Sequence, residues 1–213
     1  MGRRKKEPRC VYREKIAAAA SELFLTKGIS STSMDDIAGE AGYSKATLYA
    51  YFENKREIIS VLVLDSMKKL CECVASAVQP QMTIREKFDL ICWELVRYQE
   101  DYPFYFQASL MPIDMDLERR SSFPEERETI RVGEEINVMI HELLRSGMED
   151  GSLRPDLDIA PVSFSCWGLL GGLIYFAANK QNYIRTMGMD KKEFLKYGFD
   201  LIYRSIAGRE EIV

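Results

Sequence analysis

Apolar residues recur at helical spacing along almost the whole chain, so the pattern predicts an all-α protein. The first predicted helix ends at Lys27-Gly28, a pair typical of a helix C-terminus. Two short helices are predicted next, from about Ser33 to Ala41 and from Ser44 to about Phe52. The apolar stripe of the first helix consists of Ile16, Ala20, Leu23 and Phe24.

Small polar residues mark where these helices begin. Thr32 opens the sequence Thr-Ser-Met-Asp, which is typical of a capping box, and we expect its hydroxyl to accept a hydrogen bond from the third helical amide. Gly42 supplies the turn between the two short helices. Ser44 and Asn54 are suited to cap the third and fourth helices, and the fourth is predicted to continue through the seventies.

Longer helices are predicted after residue 80, at 125–148 and from about Lys191 to Ala207. Pro103 opens a separate segment, and Met111–Pro124 is predicted to be a loop. We therefore predict a three-helix head at residues 1–55 and a larger helical body at residues 56–213. The first long helix of the body carries the stripe Ile84, Phe88, Ile91, Leu95 and Tyr98.

The segment Ile159–Asn179 has 21 residues without a charge, which is long enough to span a bilayer. Pro161, Ser163 and Ser165 argue against a membrane span, and the sequence offers no second candidate. We interpret the segment as a helix buried on all sides. The basic N-terminal residues are not followed by an apolar run, so we expect no signal peptide and a cytoplasmic protein without membrane association.

Composition and charge refine this picture. The chain has 213 residues, of which 46% are hydrophobic, so a sizeable core is possible. Residues 1–60 contain 11 Lys and Arg against 8 Asp and Glu, and the remainder contains 18 against 25. A basic head on an acidic body suggests that the head meets a polyanion. The basic run Arg3–Lys6 either adds phosphate or minor-groove contacts or forms a disordered tail.

Two short helices joined by a tight turn, after a supporting helix, make a helix-turn-helix, whose second short helix enters the DNA major groove. That position suits Ser44, Lys45 and Thr47, which offer hydroxyls and a cation on the first turn. The hydroxyls of Tyr43 and Tyr49 can donate to phosphate oxygens, which fixes register without reading sequence. Tyr51 is suited to the same role, and Leu48 and Phe52 are expected to turn inward.

Lys55 gives an independent indication that the head contacts DNA. It follows the predicted cap Asn54, so it lies at a helix N-terminus, where the macrodipole disfavours a cation. A phosphate nearby explains a cation there, whereas the alternative is a solvated Lys55-Arg56 pair offset by Glu53 and Glu57.

The span from Arg13 to Ile59 strongly resembles the N-terminal domain of the TetR (tetracycline repressor) family of bacterial transcription regulators. It carries LF, a Gly followed by Thr, DIA, AG, SKATLY, YF and Lys in that order. The later stretches GSLRPDLD and WGLLGGL are similar to the family only loosely. The resemblance implies a homodimeric repressor of a palindromic double-stranded DNA operator. It also implies a C-terminal domain that binds a small-molecule effector, and a four-helix dimer interface formed by the last two long helices.

The resemblance also implies which residues contact DNA. Two positions depart from the common pattern: Ala46 stands where many members have Gly, and Ala50 where many have a larger polar or basic residue. The change at Ala50 removes a hydrogen-bonding group, although a methyl group can still touch thymine. Contacts to bases and phosphates are expected from Ser44, Lys45, Thr47, Tyr49 and Lys55, with Thr32 and Tyr43 as flanking phosphate contacts.

The alternative class of protein is an enzyme. His141 is the single histidine, and the sequence has no nucleophile-elbow pattern around a serine. Cys71 and Cys73 lack a second Cys/His pair at zinc-site spacing, so core packing is favoured over metal binding, and a redox role stays open. The five cysteines are odd in number and scattered, which indicates reduced thiols. We therefore predict no catalytic residues, no metal and no cofactor.

An apolar or aromatic effector is expected to bind between helices of the body, where ligands bind in helical bundles. Glu94 could form an ion pair with a cationic ligand, although a solvated glutamate is more common. The candidate ligand-binding residues are Phe88, Trp93, Tyr98, Phe106, His141, Trp167 and Tyr175.

Overall fold

The computed structural model describes residues 8–79, 81–110 and 123–208, and in them the chain is helical, as predicted. The predicted basic run Arg3–Lys6 and most of the predicted loop Met111–Pro124 lie outside the described residues. The helices are α1 (Arg9–Lys27), α2 (Met34–Glu40), α3 (Lys45–Tyr51), α4 (Lys55–Ala77), α5 (Ile84–Asp101), α6 (Pro103–Leu110), α7 (Pro124–Glu149), α8 (Ile159–Asn179), α9 (Gln181–Thr186) and α10 (Lys191–Ile206).

Helix caps confirm two predictions and correct one. Ser44 Oγ accepts from the amide of Thr47, and Asn54 caps α4 in the same way. The prediction for Thr32 was wrong by one residue, because Ser33 is the cap of α2. Its hydroxyl accepts from the Asp36 amide at 3.1 Å, and the Asp36 carboxylate accepts from the Ser33 amide at 2.9 Å. Thr32 is buried instead and donates to the Gly28 carbonyl at 2.8 Å, which closes the turn after α1.

The head has its own apolar core. Leu48 and Phe52 of α3 turn inward as expected and are almost fully buried. They pack with the stripe of α1, with Ile37 of α2, and with Ile58 and Leu62 of α4. Phe104 and Ala108 of α6 are buried in the same cluster. The head core therefore continues past the predicted boundary at residue 55 and includes the first two turns of α4.

The second half of α4 belongs to the core of the body, together with α5, α7, α8 and α10. The predicted stripe of α5, from Ile84 to Tyr98, is buried there. A buried hydrogen-bond network links three helices of the body. Tyr98 Oη donates to the Ser66 carbonyl at 3.0 Å, and Ser66 Oγ donates to the Tyr105 carbonyl at 2.7 Å. This network ties the middle of α4 to α5 and α6.

Helix α8 has the predicted bounds, but the prediction that it is buried on all sides was wrong. It is long and apolar enough to cross a membrane by length and composition, yet only 17% of its most apolar window is buried. Phe164 is 62% exposed, and Leu169 is 55% exposed on the face turned away from the core. The inner face of α8 packs against the core of the body through Leu170 and Ile174. The outer apolar face of the helix is exposed.

Candidate functional site

Helix α3 presents a polar, open face. Ser44, Lys45 and Tyr49 are exposed, and Thr47 is partly exposed, while Leu48 behind them is buried. Ser44 Oγ accepts from the Thr47 amide at 3.1 Å and lies 2.8 Å from the Thr47 hydroxyl. The first turn of α3 therefore offers hydroxyls and an ammonium to solvent on one side.

Lys45 is paired across the turn with an acid of α2. Its Nζ lies 2.7 Å from Asp35 Oδ1, and both side chains are more than half exposed. This hydrogen bond and the negative charge of Asp35 raise the pKa of Lys45 above its usual range. Lys45 is thus fully charged, and Asp35 competes for it with any anionic partner.

The three tyrosines of this region differ in what they contact. The rings of Tyr12 and Tyr51 stack with their centroids 4.8 Å apart, and Tyr43 packs against Tyr12 at 5.3 Å. Tyr49 is 47% exposed and lies outside that stack. Tyr12, which belongs to no motif of the sequence, holds Tyr43 and Tyr51 in place between α1 and α3.

The Lys55 ammonium is already hydrogen-bonded within the head, so it is not an open phosphate contact. Its Nζ donates to the Ile29 carbonyl at 2.7 Å and to the Thr32 carbonyl at 2.8 Å. The ammonium therefore ties the start of α4 to the turn between α1 and α2, which offers a structural reason for a cation at this helix N-terminus.

The body contains an apolar cavity of about 350 Å³ between α4, α5, α7 and α8. Of the predicted ligand-binding residues, Phe88 and Trp167 line it. Most of the other wall residues are apolar and include Met67, Leu70, Val74, Ile91, Ile140 and Leu144. A larger groove of about 560 Å³ lies between α1 and the α5–α6 turn, but it is open and has charged residues along it, so it is a poorer enclosure for an apolar molecule.

The other predicted ligand-binding residues lie elsewhere. Tyr98 and Phe106 are buried in the core and contact each other at 6.0 Å between ring centroids. Trp93 packs edge-on against Phe199. Tyr175 is exposed on α8, His141 is partly buried on α7 outside the cavity wall, and Glu94 pairs with Arg97.

Helix α7 connects the cavity to the head. Arg13 of α1 donates through Nη2 to Glu125 Oε1 at 2.9 Å, and through Nη1 to the Tyr51 carbonyl at 2.8 Å and to Glu57 at 2.7 Å. Its guanidinium also lies over the ring of Phe52, 4.3 Å from the centroid. One side chain thus joins α1, the end of α3, the start of α4 and the first turn of α7.

A second ion pair lies beside the first. Arg56 Nε and Nη2 donate to the two carboxylate oxygens of Glu126 at 3.0 and 3.2 Å, and Ser60 Oγ donates to the same carboxylate. We call the pairs Arg13–Glu125 and Arg56–Glu126 the head–body latch. Thr129, one helical turn further along α7, lines the cavity and donates to the Glu125 carbonyl at 2.9 Å. Cavity wall and latch are therefore about 6 Å apart along one helix.

Cysteine reactivity and metal binding have little support among the described residues. Burial raises the pKa of the Cys71 and Cys73 thiols, which disfavours the reactive thiolate. No group of three or more His, Cys, Asp or Glu residues with metal-site geometry occurs among the described residues.

Comparison with known proteins decides the family. The family model described as bacterial regulatory proteins of the tetR family matches residues 16–62. The HTH-type transcriptional regulator TtgR of Pseudomonas putida is 26% identical over 215 residues, which cover 99% of this chain and 100% of that relative. The chain belongs to the TetR family.

Two further transcription regulators resemble the chain. The HTH-type transcriptional repressor KstR2 of Mycolicibacterium smegmatis is 24% identical over 151 residues, which cover 69% of this chain and 70% of the relative. The structure of the transcriptional regulator FadR from Bacillus subtilis in complex with stearoyl-CoA shares the fold, with a TM-score of 0.67 at 19% identity, covering 89% of this chain and 97% of that chain. As a TetR-family member the protein is a DNA-binding transcription regulator and not an enzyme.

Membership of the TetR family was predictable from the residues around α3, whereas the latch was not. Arg13 and Glu125 are 112 positions apart, and neither residue belongs to a local motif. The aliphatic wall residues of the cavity were missed because they follow the same helical period as ordinary core residues.

Proposed function

We propose that the protein is a cytoplasmic repressor that binds a palindromic operator as a homodimer and releases it when a small apolar or aromatic molecule occupies the cavity. One observation carries this proposal: α7 forms a wall of the cavity, and its first turn is bound to the DNA-binding head through the latch. A change of the cavity is thereby connected to the position of α3.

DNA contact is proposed for Ser44, Lys45, Thr47 and Tyr49, with Tyr43 as a flanking phosphate contact. The exposure of the first turn of α3 supports this assignment, because base edges are read by side chains that reach into the major groove. The hydroxyl of Thr32 is buried, so the proposal leaves that side chain out. Lys55 can approach phosphate only beside the two carbonyls that it already binds, and a long-range attraction is its proposed contribution.

A second copy of the chain is the proposed occupant of the apolar face of α8 and α10. Leu169 of α8 and Tyr197 and Leu201 of α10 are each more than half exposed there. Gly168 and Gly172 have open space where a side chain would be, which permits close approach of a partner helix. Exposed apolar patches of this kind mark interaction surfaces. The two-fold arrangement then places two α3 helices on successive major grooves, about 34–36 Å apart or a multiple of that distance.

Release of DNA is proposed to proceed through α4 and α7 together. Both helices line the cavity, through Leu70 and Val74 of α4 and Thr129 and Ile140 of α7, and both are fixed to the head at their first turns. A ligand that separates these helices would rotate the head as a rigid body. By linkage, a tenfold loss of operator affinity on ligand binding requires a tenfold loss of ligand affinity on operator binding.

The test uses fluorescence anisotropy with the duplex from the region upstream of the protein's own gene and a shuffled duplex of the same composition. Tighter binding to the upstream duplex, with two protein chains per duplex, is expected. Lys45→Ala should weaken that preference, whereas Lys180→Ala, at an exposed lysine after α8, should leave it unchanged. Equal binding to both duplexes would refute a sequence-specific regulator.

A further inference from the structure

The charges on the cavity wall are one-sided. In the described part of the chain, its polar lining residues are Ser109, Thr129, Asn137 and Ser163, and its single charged lining residue is Glu134. No lysine or arginine is among the described residues that line it. An anionic ligand such as a coenzyme A thioester or a fatty acid would need charge-assisted donors of the arginine or lysine type, which this wall does not offer.

We propose that the cavity selects a compact amphiphile with a cationic head, an alkylammonium or quaternary ammonium group on an apolar or aromatic tail. The inference deepens the proposed effector site and rests on it. About 350 Å³ is near the lower end of the range for small-molecule sites, so the tail is short.

The position of Glu134 orients the ligand. Glu134 is exposed on α7, whereas Leu70, Ile91 and Leu95 on the opposite wall are buried or nearly so. The cation therefore stays at the mouth in contact with water, where its desolvation is small, and the tail enters the apolar interior. Asn137 lies three residues after Glu134 on the same helix face and can accept from an ammonium through its amide oxygen.

Neighbouring charges leave Glu134 effective as a counter-ion. Arg131, one turn earlier on α7, donates to Glu128 and to Glu135 and is thereby held by two other carboxylates. The aromatic rings of Phe164 and Trp167 also line the cavity, and their faces attract cations. Carboxylate, amide oxygen and aromatic faces of this lining all favour a positively charged ligand.

The experiment compares three ligands of one shape, phenylbutylamine, phenylbutanol and phenylbutyrate, which carry a positive charge, no charge and a negative charge at pH 7. Dissociation constants are measured by isothermal titration calorimetry with the full chain. The amine is expected to bind tightest and the acid weakest. Glu134→Gln should weaken the amine by roughly two- to fivefold, as expected for a partly exposed ion pair, and should leave the alcohol unchanged.

Glu142→Gln is the matched control, since Glu142 is an exposed carboxylate of α7 that does not line the cavity. Equal binding of the amine and the acid, or an unchanged amine affinity in Glu134→Gln, would refute the cationic preference while the effector site stands. If none of the three compounds binds at millimolar concentration, both the preference and the proposed effector site are refuted.

Discussion

Arg13 and Glu125 form an ion pair of 2.9 Å that joins the first helix of the head to the first turn of α7. The Arg13 and Glu125 side chains are 21% and 22% exposed, so water screens the pair only in part. Arg13 also binds the Tyr51 carbonyl and Glu57, which makes it the centre of the head–body latch rather than one end of an isolated bridge.

The two partners of this pair should therefore have unequal effects on stability. Arg13→Ala removes several hydrogen bonds of a charged donor and should lower the free energy of unfolding by about 2–3 kcal/mol. Glu125→Gln removes one partly exposed ion pair and should cost at most about 1 kcal/mol. Urea denaturation measures both, with Glu128→Gln as a control on the exposed side of α7. Equal losses from Arg13→Ala and Glu125→Gln would contradict a central role for Arg13.

The latch should also transmit ligand binding. We expect the double variant Glu125→Gln/Glu126→Gln to bind the operator duplex with an affinity within about threefold of the parent, because neither residue lies on α3. Saturating phenylbutylamine should then change operator affinity less in the double variant than in the parent, as measured by anisotropy. An undiminished ligand response would show that the latch does not transmit it, and would leave α4 and the packing of α6 against the head as the connections.

Substitutions at Lys45 and Lys55 should have different effects on DNA recognition and on the stability of the head. Lys45→Ala removes an exposed ion pair and should change the free energy of unfolding by no more than about 0.5 kcal/mol. Lys55→Ala leaves the Ile29 and Thr32 carbonyls without their ammonium and should cost about 1–3 kcal/mol. In DNA titrations Lys45→Ala should relax base preference, whereas Lys55→Ala should weaken all duplexes alike and lower the salt slope by less than about one, because a long-range attraction replaces a direct phosphate contact. A stable Lys55→Ala variant would show that the two carbonyl contacts contribute little.

Helix positions were predictable because they depend on local periodicity and capping. The segment from Ile159 to Asn179 became α8 without a shift, and Ser44 and Asn54 cap as expected. The error at Thr32 arose because two adjacent hydroxyls can both cap, and only burial against Gly28 decides between them. The effector cavity was less predictable, since aromatic residues such as Tyr98 fill the core while aliphatic side chains of α4 and α7 form most of its wall.

The apolar face of α8 and α10 should control association. Leu169→Glu combined with Leu201→Glu places two charges on the proposed interface, where burying them without partners is costly. Multi-angle light scattering should find a dimer for the parent and a monomer for this variant. Leu25→Glu is the control, because Leu25 is an exposed apolar residue of the head on α1. A double variant that stays dimeric would place the interface elsewhere.

Acid should weaken the cap of α2. The hydrogen bonds from the Ser33 hydroxyl and amide lower the pKa of Asp36 to about 2 in the folded chain. A lowered pKa means that folding favours the ionised carboxylate, so its contribution is present above about pH 4 and is lost as the pH falls towards 2. The difference in unfolding free energy between the parent and Asp36→Asn should accordingly shrink over that window in urea denaturation. Glu40→Gln, at an exposed acid of the same helix, is the control, and a difference independent of pH would contradict the capping role.

Two glycines of α7 should respond to alanine in opposite directions. At Gly133, on the cavity wall, an added Cβ would lie 3.7 Å from Met67 Cε, an ordinary contact, so Gly133→Ala should gain helix propensity and raise the free energy of unfolding by about 0.5–1 kcal/mol. At Gly147 the Cβ would lie 2.6 Å from Leu153 Cγ, a buried side chain, so Gly147→Ala should lower it by about 1–3 kcal/mol through overpacking. Urea denaturation of both variants measures the two signs. Because the Gly133→Ala methyl also occupies part of the cavity wall, the same variant should bind phenylbutanol less tightly. Unchanged phenylbutanol affinity in a stabilised Gly133→Ala variant would show that the ligand lies away from that part of α7.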